Sequence, residues 1–141
     1  MTAKEYLGQI RKLEANVIAR VHELQQVQQA ATYLTGISYD SVRVQTSKNT
    51  TGFPTSEQLA DMELDIERKI RELAETRHQI IEQIEALDNP LYVQVLVERY
   101  VKHRKFEDIV DIMHYSYPYV IQLHGQALME FTRKHHIKTK E

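Results

Sequence analysis

Cysteine and tryptophan are both absent from the 141 residues. Without cysteine no disulfide and no thiolate metal site can form, which excludes a small secreted scaffold and fits an intracellular protein. Glycine occurs only four times, at positions 8, 36, 52 and 125. Glycines so scattered do not build a loop that cradles phosphate. Proline occurs three times, so long helices can run unbroken. No stretch of about 20 uncharged apolar residues exists to span a membrane. Met1 to Ile10 has no apolar run resembling a secretory leader. The hydrophobic fraction of 42% is enough for a core, and the length suits one domain or one small domain with an appended helical arm.

Charge of one sign is also scarce. The formal net charge is −2, which argues against a generic nucleic-acid sponge. The distribution is uneven. Residues 1–89 hold 10 Lys/Arg against 14 Asp/Glu, and residues 90–141 hold 8 against 6 together with 5 of the 7 histidines. An acidic first part and a mildly basic end suit a protein with one pole facing nucleic acid.

What the chain has is helical periodicity. Tyr6, Ile10, Leu13, Val17, Val21, Leu24, Val27, Ala31 and Leu34 recur in steps of three and four, predicting one helix from Thr2 to Leu34, about 45–50 Å long. Residues 35–55 are rich in Gly, Ser, Thr and Asn and read as a flexible polar loop. Ser56 then offers an N-cap, and Leu59, Met62, Ile66, Ile70, Leu73, Ile80, Ile84 and Leu87 make a second stripe that ends at Asp88-Asn89-Pro90. Two such helices should fold back as an antiparallel hairpin, coiled-coil-like, over residues 1–89. Two helices alone make a thin core, so the arm is expected to cover its stripes either as a four-helix assembly with a second copy or by packing on the C-terminal unit.

From Pro90 a third helix, capped by Asn89, presents Leu91, Val95, Leu96 and Tyr100 and closes at the cationic Lys102-His103-Arg104. Then comes the segment that points to a function. Phe106, Ile109, Val110 and Met113 form one short stripe. Ser116 is an N-cap candidate, Pro118 falls in a first helical turn, and Val120, Leu123, Ala127 and Leu128 form another stripe. Two short helices with a tight turn bury both stripes by crossing steeply, as in a helix-turn-helix.

The phrases Phe106-Glu107-Asp108-Ile109, Met113-His114-Tyr115-Ser116, Val120-Ile121-Gln122-Leu123 and Ala127-Leu128 resemble the region 4 helix-turn-helix of sigma-70-type RNA polymerase sigma factors. Leu96-Val97-Glu98-Arg99-Tyr100 looks like the helix leading into that motif. The whole chain is similar to the sigma-region-4-like regulators of phages and prophages of Gram-positive bacteria, including ArpU-type late regulators. The motif match covers about residues 90–131. Over residues 1–89 the likeness rests on architecture, the opening Met1-Thr2-Ala3-Lys4-Glu5-Tyr6-Leu7 and Asp88-Asn89-Pro90.

The resemblance implies control of phage transcription, with the helix that begins at Ser116 in the DNA major groove. Carried over position by position, Tyr117, Pro118, Tyr119, Ile121, Gln122 and Gln126 point outward. Gln122 matches the family glutamine and would read an adenine edge. Lys105 and Ser116 would contact backbone phosphates, with Lys102 and Arg104 as supplements. The chain departs from the family in one respect: Tyr117, Tyr119, Ile121 and Gln126 stand where Arg or Lys is usual. A recognition helix without cations binds DNA weakly as a monomer. Two readings stay open, groove contact and a surface for a protein partner.

Other chemistry finds little footing. His135 and His136 are adjacent and diverge on a helix, and His114 and His124 lack a metal-binding spacing. His124 reads as a surface group able to meet DNA when protonated. Glu107-Asp108 sits in a first turn and favours the helix dipole. Gly125 reads as close packing against the preceding helix. The expectation is therefore an all-α protein, not an enzyme, with no cofactor and no metal. Its arm spans residues 1–89 and its helix-turn-helix domain residues 90–141. Its partners would be double-stranded DNA, a homodimeric copy, and host RNA polymerase or another protein, in the bacterial cytoplasm and away from membranes.

Overall fold

The computed structural model describes residues 1–37 and 55–137, all helix and connecting turns, with no strand among them. Helix α1 covers Ala3–Leu7, α2 Gln9–Ile37, α3 Ser56–Glu85, α4 Pro90–Leu96, α5 Phe106–Met113 and α6 Tyr117–His135. A π-helical turn, Val97–Val101, continues α4. No helix among the described residues is long and apolar enough to cross a membrane.

The local chemistry explains most of the boundaries. Thr2 caps α1 by accepting from the Glu5 amide at 3.2 Å. The single helix expected from Thr2 is broken at Gly8, which closes α1 by donating to the Lys4 carbonyl. The α3 cap is Thr55 and not Ser56. The Thr55 hydroxyl accepts from the Gln58 amide at 3.2 Å, and the Gln58 side chain accepts from the Thr55 amide at 2.8 Å. This reciprocal pair is a capping box, which needs its Gln three residues on; Ser56 has Leu59 at that spacing. Asn89 caps α4 through the Leu91 amide, with Pro90 at the first position, where a missing N–H costs nothing. The polar loop expected over 35–55 begins later than predicted, since α2 runs to Ile37; its residues 38–54 lie outside the described part.

The chain divides into two compact units, Met1–Glu14 with Leu73–Glu141, and Ala15–Glu72. The division falls inside α2 and α3 and not at residue 89, because the buried side chains of α1, early α2 and late α3 belong to the same core as those of α4 to α6. That core holds Leu7, Ile10, Ile80, Ile84, Leu87, Val95, Leu96, Ile109, Val120, Leu123, Ala127 and Phe131. Phe131 is wholly buried, 5.9 Å from the Tyr6 ring and 4.6 Å from that of His135. Tyr6 donates its hydroxyl to Gln83 at 2.6 Å, and His135 Nε2 lies 2.7 Å from the Gln83 carbonyl. Glu14 receives His103 at 2.7 Å and Arg77 at 3.3 Å.

The unit Ala15–Glu72 is thin. Ile66 is its one described residue with a buried apolar side chain, while Val17, Val21, Leu24, Val27, Leu59 and Met62 are half-buried. Ile70, expected on the inner stripe of α3, is exposed. The inward line is Ile66, half-buried Leu73 and Ile80, which follow a seven-residue step; Ile70 lies off that line.

Phe131 closes the core of the larger unit, so Phe131→Ala is expected to cost about 3–5 kcal/mol of stability, read as a lowered urea midpoint.

Candidate nucleic-acid interface

The candidate surface is built on the turn between α4 and α5, the three-residue link 114–116, and the outer face of α6. The π-helical turn at Val97–Val101 is closed by the Lys102 amide on the Val97 carbonyl at 3.0 Å. Widening the helix by one residue leaves Glu98, Tyr100 and Val101 all buried in a run of four. Glu98 is 6% exposed. Its carboxylate is met by Lys102 Nζ at 2.9 Å and Arg104 Nε at 2.8 Å. The two cations are themselves about half exposed, so one buried negative charge holds two positive charges at the rim. With Arg99 and Lys105, the segment Glu98–Lys105 carries four cations and one anion. Arg99 also donates to the Arg104 carbonyl at 3.0 Å and lies 4.2 Å from the Phe106 ring centre.

His103, at φ 58°, takes the left-handed conformation and turns the chain toward α5. Lys105 is the N-cap residue of α5; it has extended backbone and makes no side-chain capping bond. Its side chain is exposed, as expected for a phosphate contact. Glu107 and Asp108 occupy the first turn and favour its dipole. His114 closes α5 in the left-handed conformation, with φ 60° and ψ 38°, and its amide donates to the Val110 carbonyl. Ser116 then caps α6, its hydroxyl accepting from the Tyr119 amide at 3.4 Å, with Pro118 in the first turn.

The inner face of α6 is Val120, Leu123, Ala127 and Phe131, each 3% exposed or less. The expected outward residues Tyr117, Pro118, Tyr119, Ile121, Gln122 and Gln126 are all exposed, as is Ser116. Two of them are held from the side. Tyr119 packs edge to face on Tyr115 at 4.9 Å, and Gln126 accepts a long hydrogen bond, 3.4 Å, from the Tyr92 hydroxyl. Met129, 74% exposed, extends the same outer row by two turns beyond Gln122. No Lys or Arg occurs from Ser116 to Phe131.

Two expectations are corrected. His124 is not a surface group. It is half-buried, stacked at 5.6 Å on Tyr100 and edge-on at 5.0 Å to Phe106. Its Nε2 lies 2.7 Å from the Tyr100 hydroxyl. Burial, followed by the charges of Arg99 and Lys4, pushes the imidazole down to about 4. Burial pushes the Tyr100 phenol up to about 12 against a smaller opposing effect of Arg99. The phenol therefore donates to a neutral ring, and a protonated His124 is not offered to DNA. Gly125 is not a close-packing glycine: a Cβ there meets no atom within 4 Å. It lies on the outer row, where the preceding helix does not reach.

Sequence reasoning missed Glu98, Tyr115 and the Tyr100–His124 pair. The Glu98–Lys102 spacing of four was a visible ion-pair signal, but nothing marked the π-helical turn that buries the carboxylate. Among the described residues no group of three or more His, Asp or Glu is arranged to hold a metal. Comparison of the chain with protein-family models, curated proteins and solved structures finds no match.

Two outcomes follow from this geometry. The unfolded histidine titrates near 6.5 and the folded one near 4. Between those values the unfolded chain holds the extra proton, so stability falls as pH drops from about 6.5 toward 4 and is flat with respect to this group above. The ring is partly exposed, so screening limits the loss to about 1–2 kcal/mol. NMR titration of the His124 ring beside urea melts at several pH values checks both. Gly125→Ala adds a methyl to open space within a helix and is expected to stabilise by about 0.5–1 kcal/mol in the same melts.

Proposed function

We propose that this chain is a non-enzymatic, DNA-binding regulator of transcription of the phage type, in which α5 and α6 act as a helix-turn-helix like that of sigma region 4. The observation that carries the reading is the division of α6. Its inner residues Val120, Leu123 and Ala127 are fixed in the core, while Ser116, Tyr117, Tyr119, Ile121, Gln122 and Gln126 stand exposed on one rigid helix. A helix anchored along one side and bare along the other is what a major groove admits. The rim of cations at Arg99, Lys102, Arg104 and Lys105 precedes it in the chain and offers charge to phosphates. The unit Ala15–Glu72 serves as the arm that sets the spacing of a homodimer or touches the polymerase, in a bacterial host cell. A dimer with two half-sites offsets the weak affinity of each recognition helix.

A second reading, a surface for a protein partner, is favoured by a specific observation. Tyr115, Tyr117, Tyr119 and Ile121 are each 37% exposed or more, Tyr115 packs on Tyr119 at 4.9 Å, and no cation stands between Tyr115 and Ile121 in the chain. Exposed aromatic clusters of this kind are typical protein anchors.

Fluorescence anisotropy of labelled duplexes drawn from the gene's own upstream region separates the two. DNA binding predicts that Gln122→Ala lowers specific affinity by about 1–3 kcal/mol, and that Lys105→Ala weakens all sequences alike and reduces the salt slope by about 1. Failure of every duplex to bind at low salt, with a protein partner lost in Tyr117→Ala, would establish the second reading instead.

A further inference from the structure

We infer that the outer row of α6 reads A·T base pairs, through adenine edges and thymine methyl groups, and discriminates against G·C. The inference rests on the DNA-binding reading above and names the target class of that site. Pro118, Ile121, Gln122, Gly125, Gln126 and Met129 follow one another at helical spacing on the side opposite Val120, Leu123 and Ala127. Pro118, Ile121, Gln122, Gln126 and Met129 are exposed, and a Cβ on Gly125 would meet nothing.

The chemistry of this row is narrow. In the major groove guanine shows two acceptors, which Arg or Lys satisfies, and cytosine shows an amino donor, which Asp or Glu accepts. The row has none of these four residue types. Adenine shows an acceptor beside a donor, which the amide of Gln matches with two bonds, and thymine shows a methyl, which apolar side chains contact. The row consists of two amides and three apolar side chains around a glycine. Every side chain on it has a partner on an A·T pair, and none has a charge with which to recognise a G·C pair. Ile121 and Gln122 are consecutive, about 100° apart on the helix, so an apolar group and an amide meet neighbouring features of the groove. Gln126 is steadied by Tyr92 through its oxygen, and its NH2 remains to donate. Gly125, between the two glutamines, removes the side chain that would hold the helix away from the base edges.

The low charge of the row has a second consequence. With Lys105, Lys102 and Arg104 as the phosphate contacts, the slope of log affinity on log salt is about −3 for one protomer. Binding then depends on base edges more than on the backbone.

The test is selection of randomised duplexes on the full chain at low salt, then measurement of the recovered sequence with single bases replaced. Uracil for thymine removes the methyl, and 7-deazaadenine for adenine removes the ring acceptor. The recovered pool is expected to be A·T-rich at the contacted steps. Each contacted methyl removed should weaken binding about fourfold, and each adenine acceptor about fivefold. Ile121→Ala should abolish the uracil effect and Gln122→Ala the 7-deazaadenine effect, since a pair that interacts does not add. Both positions are exposed, so a melt shows that the variants are folded. Duplexes retained without A·T enrichment, or indifferent to both replacements, overturn this inference and leave the DNA-binding reading standing. No duplex retained at all overturns both.

Discussion

The inner face of α6 is the constraint on which the larger unit depends. Val120, Leu123, Ala127 and Phe131 are spaced so that one side of a 19-residue helix enters the core along most of its length. Leu7 and Ile10 come to that core from the N-terminal end of the chain, Ile80 and Ile84 from α3, Val95 and Leu96 from α4, and Ile109 and Met113 from α5. Burial of these apolar side chains supplies most of the driving force, and no other element is positioned to replace α6 in receiving them. The outer face is free because the inner one is so completely used. A helix held at four buried positions cannot roll without exposing them, so the direction in which Gln122 and Ile121 point is set by the core and not by the surface.

The second fixed point is polar. Glu98 is enclosed, and a carboxylate taken out of water must be compensated. Lys102 and Arg104 do so at 2.9 and 2.8 Å. The compensation is uneven in a useful way, because the anion is buried and the cations are half in water. Seen from solvent the segment is basic, although its count of charges is partly cancelled. The π-helical turn makes this possible: it places Glu98, Tyr100 and Val101 on the inside together, which ordinary helical spacing would not. The same turn delivers Tyr100 to His124, and that bond ties α4 to α6 from the polar side of the core.

Periodicity carried much of the fold in advance. The stripes in α5 and α6 and the Asn89 and Ser116 caps were visible because spacing and cap chemistry are local properties. Phe131 continues the line of Val120, Leu123 and Ala127 by four residues, so the buried stripe runs one turn past Leu128. Ile70 is apolar and four residues from Ile66, which predicts an inward position, but a seven-residue step selects Leu73 and leaves Ile70 in water. His124 and Glu98 could not be judged from the chain, because burial of a polar residue depends on what long-range packing brings beside it. A glycine inside a helix suggests a close neighbour, and at Gly125 the space beside it is empty.

The shortage of cations on α6 then acquires a physical meaning beyond weakness. Phosphate contacts raise affinity for every sequence equally, so a basic recognition helix is retained at countless wrong sites before it finds a right one. A row of amides and apolar groups gains almost nothing from random DNA. Its affinity comes late, when the base edges fit, and is lost quickly when they do not. In the proposed function a second copy or a polymerase already on the promoter would hold such a helix in place, because joining two weak contacts makes the second one effectively intramolecular. The unit Ala15–Glu72, with Ile66 its one buried apolar side chain and half-covered stripes among the described residues, has apolar surface to spare for that contact. Under the proposed DNA-binding function, weak recognition by α6 and incomplete burial in the long helices are two sides of one arrangement, each completed by the partner proposed above.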